Sequence, residues 1–179
     1  MDTSNPSQPK GRRSGLRDKV VSLGREVYWI SISARDDAKP FGSRRGGETV
    51  LNDRGKALAT SWRELAGLRP SLEADAVIIG PRRIQGLLIL SSKSPDAVSL
   101  ADAVKLFKVL SALRLAQLGK TAEAVRNLSV SGAGAPAGTA TRGGKAPAAL
   151  WKKGFVEKPI TGSAELAEAR KALKALHAR

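Results

Sequence analysis

The order of elements read along the chain predicts an α+β fold: a ferredoxin-like two-layer sandwich with an antiparallel sheet, plus a basic N-terminal arm and a Gly/Ala-rich loop. Three observations predict it. Short β-branched and aromatic runs alternate with segments whose apolar residues recur at helical spacing, in the order strand, loop, helix, two strands, helix, linker, short strand, helix. Two low-complexity stretches, at residues 1–19 and about 129–149, are too polar or too small-residued to join a core. The rest, within a chain of 179 residues, suits one ordinary domain, here residues 20–179.

The arm at residues 1–19 holds Lys10, Arg12, Arg13, Arg17 and Lys19 with Pro6 and Pro9 and almost nothing apolar, so it reads as a flexible basic segment. Val27 to Ser33, VYWISIS, reads as a strand. Lys39 to Gly47, KPFGSRRGG, is turn-rich and should expose Arg44 and Arg45 on a loop or hairpin tip. Asn52 is placed to cap a helix running to about Ala66, with Leu58, Trp62 and Leu65 on its buried face and Gly67 ending it. LEADAVIIG from Leu72 and RIQGLLIL from Arg83 read as two apolar strands, turned at Gly80, Pro81 and Arg82 into a hairpin at the sheet centre.

Ser99 to Leu118 reads as a second helix, with Ala103, Leu106, Phe107, Leu110 and Leu113 on one stripe and Lys105 and Lys108 on a solvated face. Residues 129–149 read as a mobile linker. The segment LWKKGFVEKPI then supplies a short strand, and a helix from about Ser163 to Leu176 closes the domain.

Lys and Arg number 31 against 16 Asp and Glu, a formal charge of +15, which suits a polyanionic partner. Nucleic acid is the expected partner. A membrane surface, the other polyanion, calls for a basic amphipathic helix with bulky anchors or a long apolar run, and neither appears. The start lacks the apolar core of a secretory signal, so a cytoplasmic, nucleoid-associated location is expected. With no Cys and one His, zinc fingers and disulfides are excluded. No GxxxxGK[ST] or GxGxxG loop is present, so nucleotide hydrolysis has no support, and no cofactor is expected.

The stretch from Tyr28 to Leu90 resembles the single-tyrosine HUH transposases, and is similar to the REP-associated tyrosine transposases among them. The signs are YWISIS, an FG turn, ETVLNDRGKAL leading into a Trp-bearing helix, then LRPSLEADAVIIGP and its hairpin return, where relatives read MPNHIHG. Downstream, LWKKGFVEKPI followed by AELAEARKAL resembles the family's W-Q-R-N-aromatic segment and its last helix. The resemblance implies DNA cleavage in which two histidines, two apart on one strand, hold a divalent ion and a tyrosine on the last helix attacks the phosphate.

The positions matching those histidines are Arg83 and Gln85, and the position matching the tyrosine falls near Ala172. Arginine has no lone pair to give a metal, and glutamine alone is a weak ligand. The only tyrosine is Tyr28, on the first strand, where a buried structural role is expected. No catalytic or metal-binding residue is therefore expected, and the chain reads as a non-catalytic relative that binds nucleic acid. Single-stranded or hairpin DNA is favoured by the resemblance, structured RNA is the alternative, and an active nuclease with relocated chemistry is the third reading.

The expected contacts are Arg12 and Arg13 of the arm, Arg44 and Arg45 of the loop, and Arg82, Arg83 and Gln85 of the former metal strand. Trp151, Lys152 and Lys153 complete the set, the indole stacking on a base while the lysines pair with phosphates, unless Trp151 is a core residue. The resemblance admits a monomer or a homodimer, and no segment reads as a dimer seam.

Overall fold

The computed structural model describes residues 24–38, 40–130 and 150–177. Strand β1 (Arg25–Ser33) leads through a loop to a small hairpin, β2 (Gly42–Arg45) and β3 (Glu48–Leu51). Gly46 and Gly47 turn it with φ of 59° and 86°, the paired left-handed conformations that a tight two-residue hairpin turn requires. Helix α1 (Asp53–Leu68) follows at once. The Asn52 side chain accepts a hydrogen bond from the Gly55 amide at 3.1 Å and its Nδ2 donates to the Pro40 carbonyl at 3.0 Å. The cap expected at Asn52 is thus present, and it also ties the helix start to the loop before β2.

The helix does not stop at Gly67 as its sequence predicts. It runs to Leu68 and ends because Arg69 is extended, at φ −148° and ψ 126°, the conformation favoured in a residue that precedes a proline, here Pro70. Strands β4 (Leu72–Ile79) and β5 (Arg83–Ser91) form the expected hairpin. Helix α2 (Leu100–Val130) is capped by Ser99, whose Oγ accepts from the Asp102 amide at 3.1 Å. It continues well past Leu118 and takes in Ser129 and Val130, which the sequence assigns to the linker; residues 131–149 lie outside the described residues. Strand β6 (Val156–Ile160) and helix α3 (Ser163–His177) complete the chain.

The main sheet has the order β4-β5-β1-β6 and every pairing is antiparallel. With the β2–β3 hairpin set aside, the chain follows the split β-α-β-β-α-β path of a ferredoxin-like sandwich, so the α+β expectation stands. One detail differs. The β4–β5 hairpin does not sit at the centre, because β1 inserts beside β5 and leaves β4 at an edge.

Alternation along the strands sorts side chains onto two faces. Ile30 and Ile32 of β1 and Ile84, Leu88 and Leu90 of β5 pack with Leu58, Trp62 and Leu65 of α1 and Ala103, Val104 and Phe107 of α2. Val27 of β1, Leu87 and Ile89 of β5 and Ile160 of β6 face the other way, onto Leu166, Ala169 and Leu173 of α3. The last helix thus adds a third layer to the two-layer sandwich. Each fully buried leucine or isoleucine in these clusters contributes about 1.5–3 kcal/mol of hydrophobic stabilisation.

Trp62 sits where α1 crosses the sheet. Its ring meets Phe107 edge-on at 5.5 Å, and its Nε1 donates to the Asp75 carbonyl at 2.9 Å. That carbonyl lies where the β4–β5 register shifts, between Ala74 and Val77. Opposite, a Cβ on Gly86 would come within 2.6 Å of the Trp62 ring, so the glycine in this central strand makes room for the indole.

The apolar stripe of α2 is rotated from the expected one. Ala103, Phe107, Ser111 and Leu115 are buried at four-residue intervals, whereas Leu113 is 59% exposed. A serine on the buried line is the reason for the error, since apolar periodicity skips over it.

Candidate nucleic-acid interface

Helix α3 covers its sheet face near Val27, Leu87, Ile89 and Ile160 and reaches Ile78 of β4, the residue paired with Gln85. The other end of that face is formed by the last residues of β1 and the first of β5. Register pairs Ser33 with Arg83 and Ser31 with Gln85, and Val156 of β6 lies on the far side of Ser31. Because side chains two apart share a face, Arg83 and Gln85 point to the same side as Leu87. Arg83 is exposed, Gln85 is half-buried and Val156 is 70% exposed. At this end Arg83 presents an exposed guanidinium beside Ser33, while Gln85 and Ser31 are flanked by the buried Ile78 on one side and the exposed Val156 on the other.

Three connections converge at this end. The Phe41 amide, at the root of the β2–β3 hairpin, donates to the Pro81 carbonyl at 2.8 Å, and the Ala34 amide donates to the Arg82 carbonyl at 2.8 Å. Arg82 itself is a bracket: its Nη1 donates to the carbonyls of Asp36 at 2.7 Å and Ala38 at 2.9 Å, with Arg35 at 3.4 Å. One nitrogen of this expected phosphate ligand is therefore committed to holding the loop after β1, while the residue remains exposed.

Trp151 is a core residue, the second of the two roles its sequence allows, and so not a base-stacking platform. It is 7% exposed, its ring lies 5.5 Å from Phe41 and 5.7 Å from Phe107, and its Nε1 donates to the Ser111 hydroxyl at 3.0 Å. Its neighbours stay outside. The Lys152 amide donates to the Ser33 carbonyl at 3.0 Å, extending the sheet edge, and the Lys152 side chain pairs with Asp36 at 3.0 Å. Lys153 is exposed.

Lys108, expected on a solvated helix face, instead donates to the carbonyls of Lys152 at 2.9 Å and Gly154 at 3.0 Å. Its partial burial lowers the ammonium's pKa. Helical spacing alone cannot reveal such a contact, because the carbonyls come from a segment more than 40 residues away. Together Arg35, Asp36, Asp37, Trp151, Lys152 and Lys153 line a groove of about 540 Å³.

Arg44 and Arg45 stand exposed on β2, opposite Thr49 and Glu48, beside the Gly46–Gly47 turn. Arg12 and Arg13 lie outside the described residues, as does the whole of the 1–19 arm. The structure brings Arg82, Arg83, Gln85, Lys152 and Lys153 to one end of the sheet, and it adds Arg35, which the sequence reading does not single out.

Tyr28 is half-buried rather than buried, and packs toward the α1/α2 side of the sheet, the opposite face from Arg83. Its hydroxyl donates to Glu26 at 2.9 Å. That hydrogen bond, followed by burial and the negative charges of Glu26 and Glu157, raises the phenol's pKa and disfavours the phenolate. Tyr28 pairs with Leu88, five residues from Arg83 along β5, or roughly 17 Å at the strand rise. Ala172 is exposed on α3. Among the described residues no group of three or more His, Cys, Asp or Glu could hold a metal ion, and no helix is long and apolar enough to cross a membrane.

No family model and no curated protein matches the chain. Among solved structures, it is similar to a Deinococcus radiodurans protein assigned as a transposase, at 16% identity over 96% of this chain and 100% of that one, with a TM-score of 0.47. It is also similar to a REP-associated tyrosine transposase solved bound to a REP hairpin, at 12% identity over 97% of this chain and 70% of that one, with a TM-score of 0.47.

Proposed function

We propose that this protein binds nucleic acid without cutting it, holding single-stranded or hairpin DNA by its phosphates at the end of the β-sheet where Arg83 is exposed. The observation that carries the reading is Arg83, exposed on β5 beside Gln85, at the two positions where the transposases it resembles in sequence keep their metal-binding histidines.

These residues do not fit a divalent ion. A guanidinium has no lone pair to donate and repels a cation, and the neighbours paired across from it, Ser31 and Ser33, supply neutral hydroxyls where a hard cation wants carboxylates or imidazoles. The same guanidinium suits a phosphate, which it can grip bidentately without a metal between. Arg82, Lys152 and Lys153 add exposed positive charge to the site and to its rim.

The resemblance implies a nucleophile near Ala172, where α3 carries no tyrosine, and Tyr28 faces away from the site. With few aromatic residues in the chain and Trp151 in the core, phosphate and shape contacts carry the binding rather than stacking.

The test is incubation with end-labelled hairpin DNA and Mg²⁺ or Mn²⁺, with RNA of matched sequence in parallel. The expected result is a salt-labile complex, tighter on DNA, and intact strands. A covalent protein–DNA adduct or a specific cut would overturn the reading, and tighter binding to the RNA would move the partner from DNA to RNA.

A further inference from the structure

We infer that the groove between Arg35–Asp37 and Trp151–Lys153, on the rim of that site, is a distinct phosphate subsite whose cations the free protein neutralises in part with its own carboxylates. This rests on the nucleic-acid reading above and adds to it a site and a built-in competitor.

The walls of the groove are pinned by two side chains. Arg82 holds the carbonyls of Asp36 and Ala38, and Lys108 holds those of Lys152 and Gly154. The backbone closes the base through the Arg35 amide on the Leu150 carbonyl at 3.0 Å and the Lys152 amide on the Ser33 carbonyl at 3.0 Å. The two strand-end segments are therefore fixed relative to each other before any ligand arrives, and their cationic side chains project from fixed points.

Each of two of those cations is met by an acid. Asp36 pairs with Lys152 at 3.0 Å, and Asp37 pairs with Arg35 at 3.0 Å and 3.5 Å through both carboxylate oxygens. All four side chains are at least 49% exposed. Exposed pairs of this kind are weak, because water screens both partners, so a phosphate, which forms charge-assisted bonds with the same donors, exchanges with the carboxylates readily. Lys153 meets no acid among the described residues and supplies the net positive charge that draws the anion in. Asp36 and Asp37 thus act as an internal stand-in for phosphate, and the polymer must displace them.

The experiment is fluorescence anisotropy with a labelled oligo-dT 20-mer at fixed low salt, comparing the wild type with Asp36→Asn, Asp37→Asn, Lys152→Ala and Glu73→Gln. Glu73 is the matched control, because it forms an exposed ion pair with Arg25 at the opposite end of the sheet. The subsite predicts that Asp36→Asn and Asp37→Asn each bind about 3-fold tighter, the release of one exposed pair, while Glu73→Gln changes affinity by less than about 1.5-fold. Lys152→Ala should bind about 3-fold more weakly, so the two members of one ion pair act with opposite signs. Asparagine variants that match Glu73→Gln, or bind more weakly than the wild type, overturn the subsite while leaving the broader reading intact. A wild type that does not bind the oligonucleotide at all overturns both.

Discussion

The indole of Trp151 donates its Nε1 proton to the hydroxyl of Ser111 at 3.0 Å, between two buried side chains. The bond joins the segment before β6 to the middle of α2. Replacing Ser111 with alanine leaves the indole N–H buried without an acceptor, which costs about 1–3 kcal/mol. Urea unfolding of Ser111→Ala should show that loss, with affinity for DNA unchanged while the protein stays folded. An unchanged unfolding midpoint would mean that the bond is not made.

Gly86 faces the Trp62 ring across the centre of the sheet, with a Cβ there 2.6 Å from the indole and 3.0 Å from the Ala76 carbonyl. Gly86→Ala should therefore destabilise the fold by about 1–3 kcal/mol, the range for overfilling a packed core. Thermal or denaturant unfolding checks this. A neutral or stabilising effect would show that the indole has room to move.

Arg82 donates from one nitrogen to the carbonyls of Asp36 and Ala38. Arg82→Ala removes charged hydrogen bonds at an exposed site and should cost about 1–2 kcal/mol. Its local signature is faster amide exchange at Asp36, Asp37 and Ala38, together with weaker DNA binding as the groove wall loosens. Unaltered exchange there would reduce Arg82 to a surface charge.

Glu165, in the first turn of α3, accepts hydrogen bonds from the Thr161 amide at 2.9 Å and hydroxyl at 3.1 Å and pairs with Lys158 at 2.9 Å. The backbone amide first, then Lys158, then the Thr161 hydroxyl hold its carboxyl at about 2, against 4.5 ordinarily. A depressed folded-state pKa contributes stability that is present above the unfolded value and is lost as pH falls through the folded one. Between about pH 4.5 and pH 2 the fold should weaken through this group, and Glu165→Gln should flatten that part of the stability profile. An identical acid limb in the variant would show that the carboxylate makes no such contribution.

The element order and much of the first core were legible because they rest on local signals. Leu58, Trp62 and Leu65 repeat at helical spacing and are buried, and the Asn52 cap and the Gly46–Gly47 turn carry their own chemistry. What was not legible depends on contacts between distant segments. Ser111 is buried because Trp151, 40 residues on, needs an acceptor, and Lys108 leaves its solvated pattern for the carbonyls that follow that same tryptophan. The third layer was hidden for the same reason, since nothing local in α3 says which face of the sheet it covers. At the site, Arg83 and Gln85 could be placed on one face from strand alternation alone, whereas Arg35 became visible only when the loop after β1 was seen beside Lys152.

In the proposed function Arg83 grips a phosphate where the transposases the sequence resembles would hold a metal. The affinity of wild-type protein and of Arg83→Ala for hairpin DNA, followed across a series of salt concentrations without divalent ions, decides whether it does. The wild type should bind, weaken steeply with salt, and lose about one unit of salt slope on substitution, with thermal stability within about 0.5 kcal/mol because Arg83 is exposed. An Arg83→Ala variant that binds with the same affinity and the same salt slope, or a wild type that binds only when a divalent ion is added, would contradict the account.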